Sequence, residues 1–170
     1  MAHFYDFVPE SIRKLSIREV IDAYEAGADV PRQAFAGLTR EQRIAFPVPG
    51  TWSIQQIVVH LMESDLVASY RMKRVIAEDN PAMDCYAEAA FAQRLFYDDI
   101  DLEDVCEIFK RHRRIMTIIL RRLALADFQR VGRHPESGTV SLDTLVRVYV
   151  HHLDHHMKFV REKRAVLLGG

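Results

Sequence analysis

Four of the chain's eight histidines stand in one stretch, His151-His152-Leu153-Asp154-His155-His156, and a fifth, His60, lies far upstream in another amphipathic segment. Neutral imidazole is a good ligand for divalent metals. Two histidines four apart on a helix project to one side, about a turn from each other. A third histidine from a facing helix would complete a three-nitrogen site with positions left for water or substrate, as in catalytic rather than structural zinc-type sites. The elements around these residues must therefore bring His60 to the quartet.

Helix signals recur along the chain, each with an identifiable start, and strand signals are nearly absent. Ser16-Ile17-Arg18-Glu19 has the spacing of a capping box and opens an apolar stripe through Val20, Ile21, Tyr24 and Ala28, which Pro31 must kink or interrupt. Thr39-Arg40-Glu41-Gln42 could cap one short turn. Ser53-Ile54-Gln55-Gln56 is another capping box, and the helix it opens, helix two, runs to about Glu78 with His60 at the edge of its apolar face. Asn80-Pro81 ends that pattern, and residues 82–97 form a long connection in which Ala87 to Leu95 is the best candidate for a short helix. Helix three spans roughly Asp101 to Leu125, with acids at its start and bases at its end, as the helix dipole favours. Residues 132–138, rich in turn formers, read as a polar loop before Ser141 caps helix four, which extends to about Val166. Four long amphipathic helices without a sheet predict an all-α, antiparallel four-helix bundle, with a connection between helices two and three long enough to cross over.

On the wheel of helix four, Leu142, Leu145, Tyr149, His152, His156 and Phe159 share the core-facing row. His151 and His155 fall on the next row, beside Arg147, Lys158 and Glu162, towards the polar edge. Two imidazoles on an apolar stripe are costly to bury unless their nitrogens find partners, and a metal ion satisfies one nitrogen of each. His112 sits on the apolar stripe of helix three with no second histidine a turn away, which suits a hydrogen-bonded core residue.

The segment Thr51-Trp52-Ser53-Ile54-Gln55-Gln56-Ile57-Val58-Val59-His60-Leu61 resembles the start of helix two in the DinB/YfiT-like family of bundle proteins. Gly138-Thr139-Val140-Ser141-Leu142 and Tyr149-Val150-His151-His152-Leu153-Asp154-His155-His156-Met157 resemble that family's last helix. The resemblance covers nearly the whole chain and implies that the metal ligands are His60, His152 and His156, the last two being the pair that the wheel also prefers. Many family members carry Ala-Asp after the first His-Leu, where this chain has Met62-Glu63. Glu63 could replace that acid with a longer reach, and His155 and Arg113 are further candidate catalytic helpers.

A divalent ion held by three neutral histidines, whether zinc, nickel or iron, keeps its full charge and can activate water or polarise a carbonyl. The chain thus reads as a metal-dependent enzyme, either a hydrolase or, as the resemblance implies, a transferase or isomerase acting with a low-molecular-weight thiol. The alternative is a non-catalytic, stress-related bundle in which the metal only pins two helices together. The resemblance also implies a homodimer, in line with the frequency of two-fold oligomers.

Bulk properties narrow the partners. At 170 residues the chain is long enough for one domain, residues 1–170, with a core that needs no disulfide. Its formal charge of −1 offers no attraction for nucleic acid or an anionic membrane. The basic cluster Lys110-Arg111-His112-Arg113-Arg114 alternates with Ile115, Met116 and Ile118 and reads as a solvated helix face. Cys85 and Cys106 form no paired motif, and Cys106 reads as a small core residue. The N-terminal stretch carries acids and lacks a signal-peptide core, and no apolar run approaches a membrane span, so the expected location is the cytoplasm and the expected partner a small-molecule substrate.

Overall fold

A computed structural model describes residues 8–169; the first seven residues, part of the stretch read above for a signal peptide, lie outside the described residues. The helices are α1 (Glu10–Arg13), α2 (Ile17–Ala26), α3 (Arg40–Ile44), α4 (Ile54–Ala77), α5 (Glu88–Arg94), α6 (Leu102–Arg122) and α7 (Leu142–Leu168). The capping boxes at Ser16, Thr39 and Ser53 are all formed, each side chain accepting from the backbone N–H three residues on. Beyond α2 the chain tightens into a 3-10 helix, Gly27–Ala34, with Pro31 inside it. Proline lacks the N–H of the α ladder and crowds the carbonyl four residues back, which accounts for the change of pitch.

The bundle is made by α2, α4, α6 and α7. Ion pairs Arg121–Asp22, Lys110–Asp29 and Arg32–Glu103 run α2 and its 3-10 extension antiparallel to α6. Contacts from Lys163 to Thr51 and from His152 to His60 run α7 antiparallel to α4. The long connection returns the chain to the start of α4, where Gln55 donates to the carbonyls of Tyr97 and Ile100, so that α6 runs alongside α4 in the same direction. That crossover is what a connection of this length allows.

The expectation of a bare polar loop at residues 132–138 is corrected. Val131–His134 (β1) and Gly138–Ser141 (β2) pair as an antiparallel hairpin, and Ala82 bridges to Arg133. Four-residue strands with polar side chains carry too few alternating positions to register as a pattern. Gly132 makes the packing possible, because a Cβ there would lie 2.6 Å from Met83 Cε and 3.0 Å from the Pro81 carbonyl.

Two apolar clusters fill the bundle, one around Tyr24, Met72, Met116 and Leu145, the other around Ile57, Leu61, Phe109 and Leu153. Between them on α4 and α6 lies a buried polar layer. Here the reading of Lys110–Arg114 as a wholly solvated face is corrected, since Arg113 is 1 % exposed. Its Nε donates to Asp65 (3.0 Å), its Nη1 to the Tyr24 carbonyl (3.2 Å) and its Nη2 to the Tyr149 carbonyl (3.0 Å). The rings of Tyr24 and Phe109 flank the guanidinium at 4.3 and 4.5 Å. Each cost of burying the charge is met by a partner. Gly27 leaves the space, as a Cβ there would stand 2.7 Å from Arg113 Nη1. Ile115 and Ile118 take the exposed positions instead.

Candidate metal centre

α4 supplies His60 and α7 supplies His152 and His156, one turn apart. The Nε2 atoms of His60 and His152 are 3.2 Å apart, and the candidate ligand nitrogens of all three rings lie within 4.8 Å of one another. Two nitrogens on a tetrahedral ion, each at 2.0–2.1 Å, would be roughly 3.3 Å apart. Burial, aided by the neighbouring His156, pushes the His60 ring down to about 3, and burial with His155 pushes His156 down to about 4. His152 is lowered by burial first and then by the other two rings. All three are therefore neutral at pH 7, with lone pairs available. A hydrogen bond between the two facing Nε2 atoms can use only one donor, so the triad is better served by a shared cation. The donor set fits a divalent metal ion.

Surrounding side chains fix the rings. The Tyr86 hydroxyl lies 3.5 Å from His60 Nδ1; that nitrogen carries the proton when Nε2 binds a metal, as ligating histidines usually require. Trp52 meets His60 edge-on with ring centroids 4.6 Å apart and lies nearly parallel to His156 at 6.3 Å. A cavity of about 440 Å³ has His152, Tyr149 and Tyr86 in its wall, together with Arg71, Cys85 and His134. A smaller one of about 160 Å³ lies on the other flank, against His156, Trp52 and Phe159.

A family model for the DinB superfamily matches residues 23–160. The chain belongs to the DinB superfamily. A relative from Oceanobacillus iheyensis, named as a presumed metal-dependent hydrolase, is 29 % identical over 152 residues, covering 88 % of this chain and 86 % of its own. The solved structure of YfiT from Bacillus subtilis, described as a four-helix bundle of unusual topology, superposes with a TM-score of 0.84 at 26 % identity, covering 91 % of this chain and 89 % of that one. A mycothiol-dependent maleylpyruvate isomerase matches in fold, with a TM-score of 0.65 at 12 % identity, covering 92 % of this chain and 62 % of that one.

In this DinB-superfamily chain the three predicted ligands come together, and the other predicted residues separate. His155 is exposed on the rim, its ring 4.9 Å from Phe159 and 5.5 Å from His156. Glu63 is half-buried, its carboxyl pushed up by burial; its charge bears on Tyr97 in the connection, and it lines neither cavity beside the triad. Arg113 is committed to Asp65 and two carbonyls. His112 is partly buried and hydrogen-bonded, its Nε2 2.7 Å from Ser69 Oγ. Tyr149 lines the larger cavity, and Trp52 and Phe159 line the smaller.

Sequence reasoning missed the cavity's opposite wall. Arg71 comes from the far end of α4, Cys85 and Tyr86 from the connection, and His134 and Glu136 from the hairpin. Cys85, His134 and Glu136 also cluster closely enough for a metal. However, His134 Nδ1 accepts the backbone N–H groups of Glu136 and Ser137, both at 3.3 Å. The proton of the neutral ring is thereby assigned to Nε2, which stands 3.6 Å from Cys85 Sγ and, bearing that proton, has no lone pair for an ion.

Proposed function

We propose that this chain is a divalent-metal-dependent enzyme acting on a small molecule, with His60, His152 and His156 as the metal ligands. The observation that carries the reading is the convergence of three neutral imidazoles beside a 440 Å³ cavity that has His152 in its wall. A structural zinc-type site is ordinarily closed by four protein ligands, so a three-nitrogen set favours a catalytic role. When bound, a divalent ion supplies a Lewis acid that lowers the pKa of a coordinated water or thiol and polarises a carbonyl.

The protein's own residues position and shield. Tyr86 orients the His60 ring, and Trp52 packs against two of the three ligands. Arg113 acts from the layer below by tying the α7 backbone at Tyr149, one turn before His152, to Asp65 of α4. His155, at the rim, is the candidate proton carrier nearest the solvent, while Glu63 lies on the connection side and has the weaker case. Hydrolysis is the reaction that the names of the relatives support. Transfer or isomerisation with a low-molecular-weight thiol is the second reading, supported by the resemblance noted above and by a cavity larger than water alone requires.

Metal analysis of protein purified without a histidine tag should find about one ion per chain, and His152→Ala should lose it; metal retained by that variant would overturn the ligand assignment. Esters, amides and thiol-dependent transfers screened with and without chelator should reveal an activity that chelation abolishes and added metal restores. A chelated protein that only melts earlier, with no activity in any class, would favour a structural metal.

A further inference from the structure

Arg71 is a buried guanidinium in the wall of the large cavity, 5 % exposed. Its Nε donates to the Asp84 carbonyl at 3.0 Å and its Nη2 turns to the same oxygen. Among the described residues no carboxylate lies within ion-pair distance of it. Among the described residues its Nη1 has no acceptor, yet it is not one of the sealed, unpartnered polar atoms, so it keeps access to the cavity. Burying a guanidinium is tolerated when its donors are used, as in Arg113, whose three nitrogens all donate, and here Nη1 remains for a ligand. Glu88 and Glu136 share this wall, and the Glu88 carboxyl, raised chiefly by burial, feels attraction from Arg71 and repulsion from Glu136.

The charges select the ligand. With one arginine and two glutamates facing the space, a plain carboxylate would add a third negative charge beside Glu88 and Glu136. A plain amine would leave the guanidinium unpaired. A molecule bearing both groups closely spaced answers both.

We propose that the cavity recognises a zwitterionic small molecule of amino-acid type, its carboxylate on Arg71 and its ammonium towards Glu88 and Glu136, with the remainder directed to the histidine triad. The proposal names the substrate class for the metal-dependent reading above and rests on it for the triad's role. It makes Arg71 a specificity-determining residue.

The test is isothermal titration of the zinc-loaded full chain with three matched thioethers: S-methyl-L-cysteine, 2-(methylthio)ethylamine and 3-(methylthio)propanoate. The zwitterion should bind at least about tenfold more tightly than either truncated probe, as one charge-assisted contact of ~1.5 kcal/mol or more would give. Arg71→Gln should erase its lead over the amine while leaving the amine's own affinity within about twofold, and the double variant Glu88→Gln/Glu136→Gln should erase its lead over the acid. Arg71→Lys, which keeps the charge, should restore part of the preference and serves if the glutamine variant does not fold. Equal binding of the three probes, or an unchanged preference in the folded Arg71 variant, would overturn the proposal. Titration of metal-free protein separates the two readings: a preference that persists while the triad takes up no zinc sinks the metal assignment and leaves this one standing.

Discussion

His152 and His156 occupy one row of α7 and meet His60 across the bundle, while their sequence neighbours His151 and His155 stand a row away. The difference is a rotation of about 100° per residue, and it separates ligand candidates from rim residues. The orientation of His60 depends on Tyr86. Tyr86→Phe keeps the ring and removes the hydroxyl, and should weaken metal binding by about tenfold without unfolding the chain, as loss of a partner behind a ligating histidine typically does; competition with a chromogenic chelator measures this. Arg113 carries a different kind of energy. Arg113→Met should destabilise the fold by about 3–5 kcal/mol, because it leaves Asp65 charged, buried and without its arginine. In urea titrations the double change Arg113→Met/Asp65→Leu should lose less than Arg113→Met alone; a greater loss would refute the stranded-charge account.

At the scale of elements, the hairpin and the connection form the wall that faces the triad. Met83 N–H donates to the Arg133 carbonyl and Arg133 N–H to the Pro81 carbonyl, both at 2.8 Å, so the segment carrying Cys85 and Tyr86 is fastened to β1. Gly132 lies at that junction against Pro81 and Val75. Gly132→Ala should therefore cost about 1–3 kcal/mol by forced overpacking. Urea denaturation measures the loss, and metal content should stay unchanged because the ligands lie on α4 and α7. A shift in metal content would mean that the hairpin also holds the triad in place. The capping boxes at Ser16, Thr39 and Ser53 were legible because their donors and acceptors lie three residues apart. The hairpin was not, because its four-residue strands carry too few alternating positions, and its docking against residues 81–83 depends on contacts some 50 positions away.

For the whole molecule, the triad links two antiparallel helices, so an ion that binds only the folded state must stabilise it. Free metal at 100 times Kd contributes about 2.7 kcal/mol, and for a chain of this size chelation should lower Tm by roughly 5–10 °C. Thermal unfolding with and without chelator checks this, and His152→Ala should respond to neither chelator nor metal. No described helix is long and apolar enough to cross a membrane. The sequence by itself determined the four long helices, their caps and the inward row of α7, because periodicity and capping are local properties of a helix. His60 entered as the third histidine through the resemblance of the stretch from Thr51 to Leu61 to the family's helix two, its place at the edge of an apolar face being compatible with that. Only the tertiary structure decided that Arg113 is interior, that Glu63 lies off the cavities, and that Arg71 faces the cavity with Cys85, His134 and Glu136. Those outcomes depend on which helix lies beside which and on where the long connection returns, and no spacing along the chain encodes a neighbour that arrives from another element.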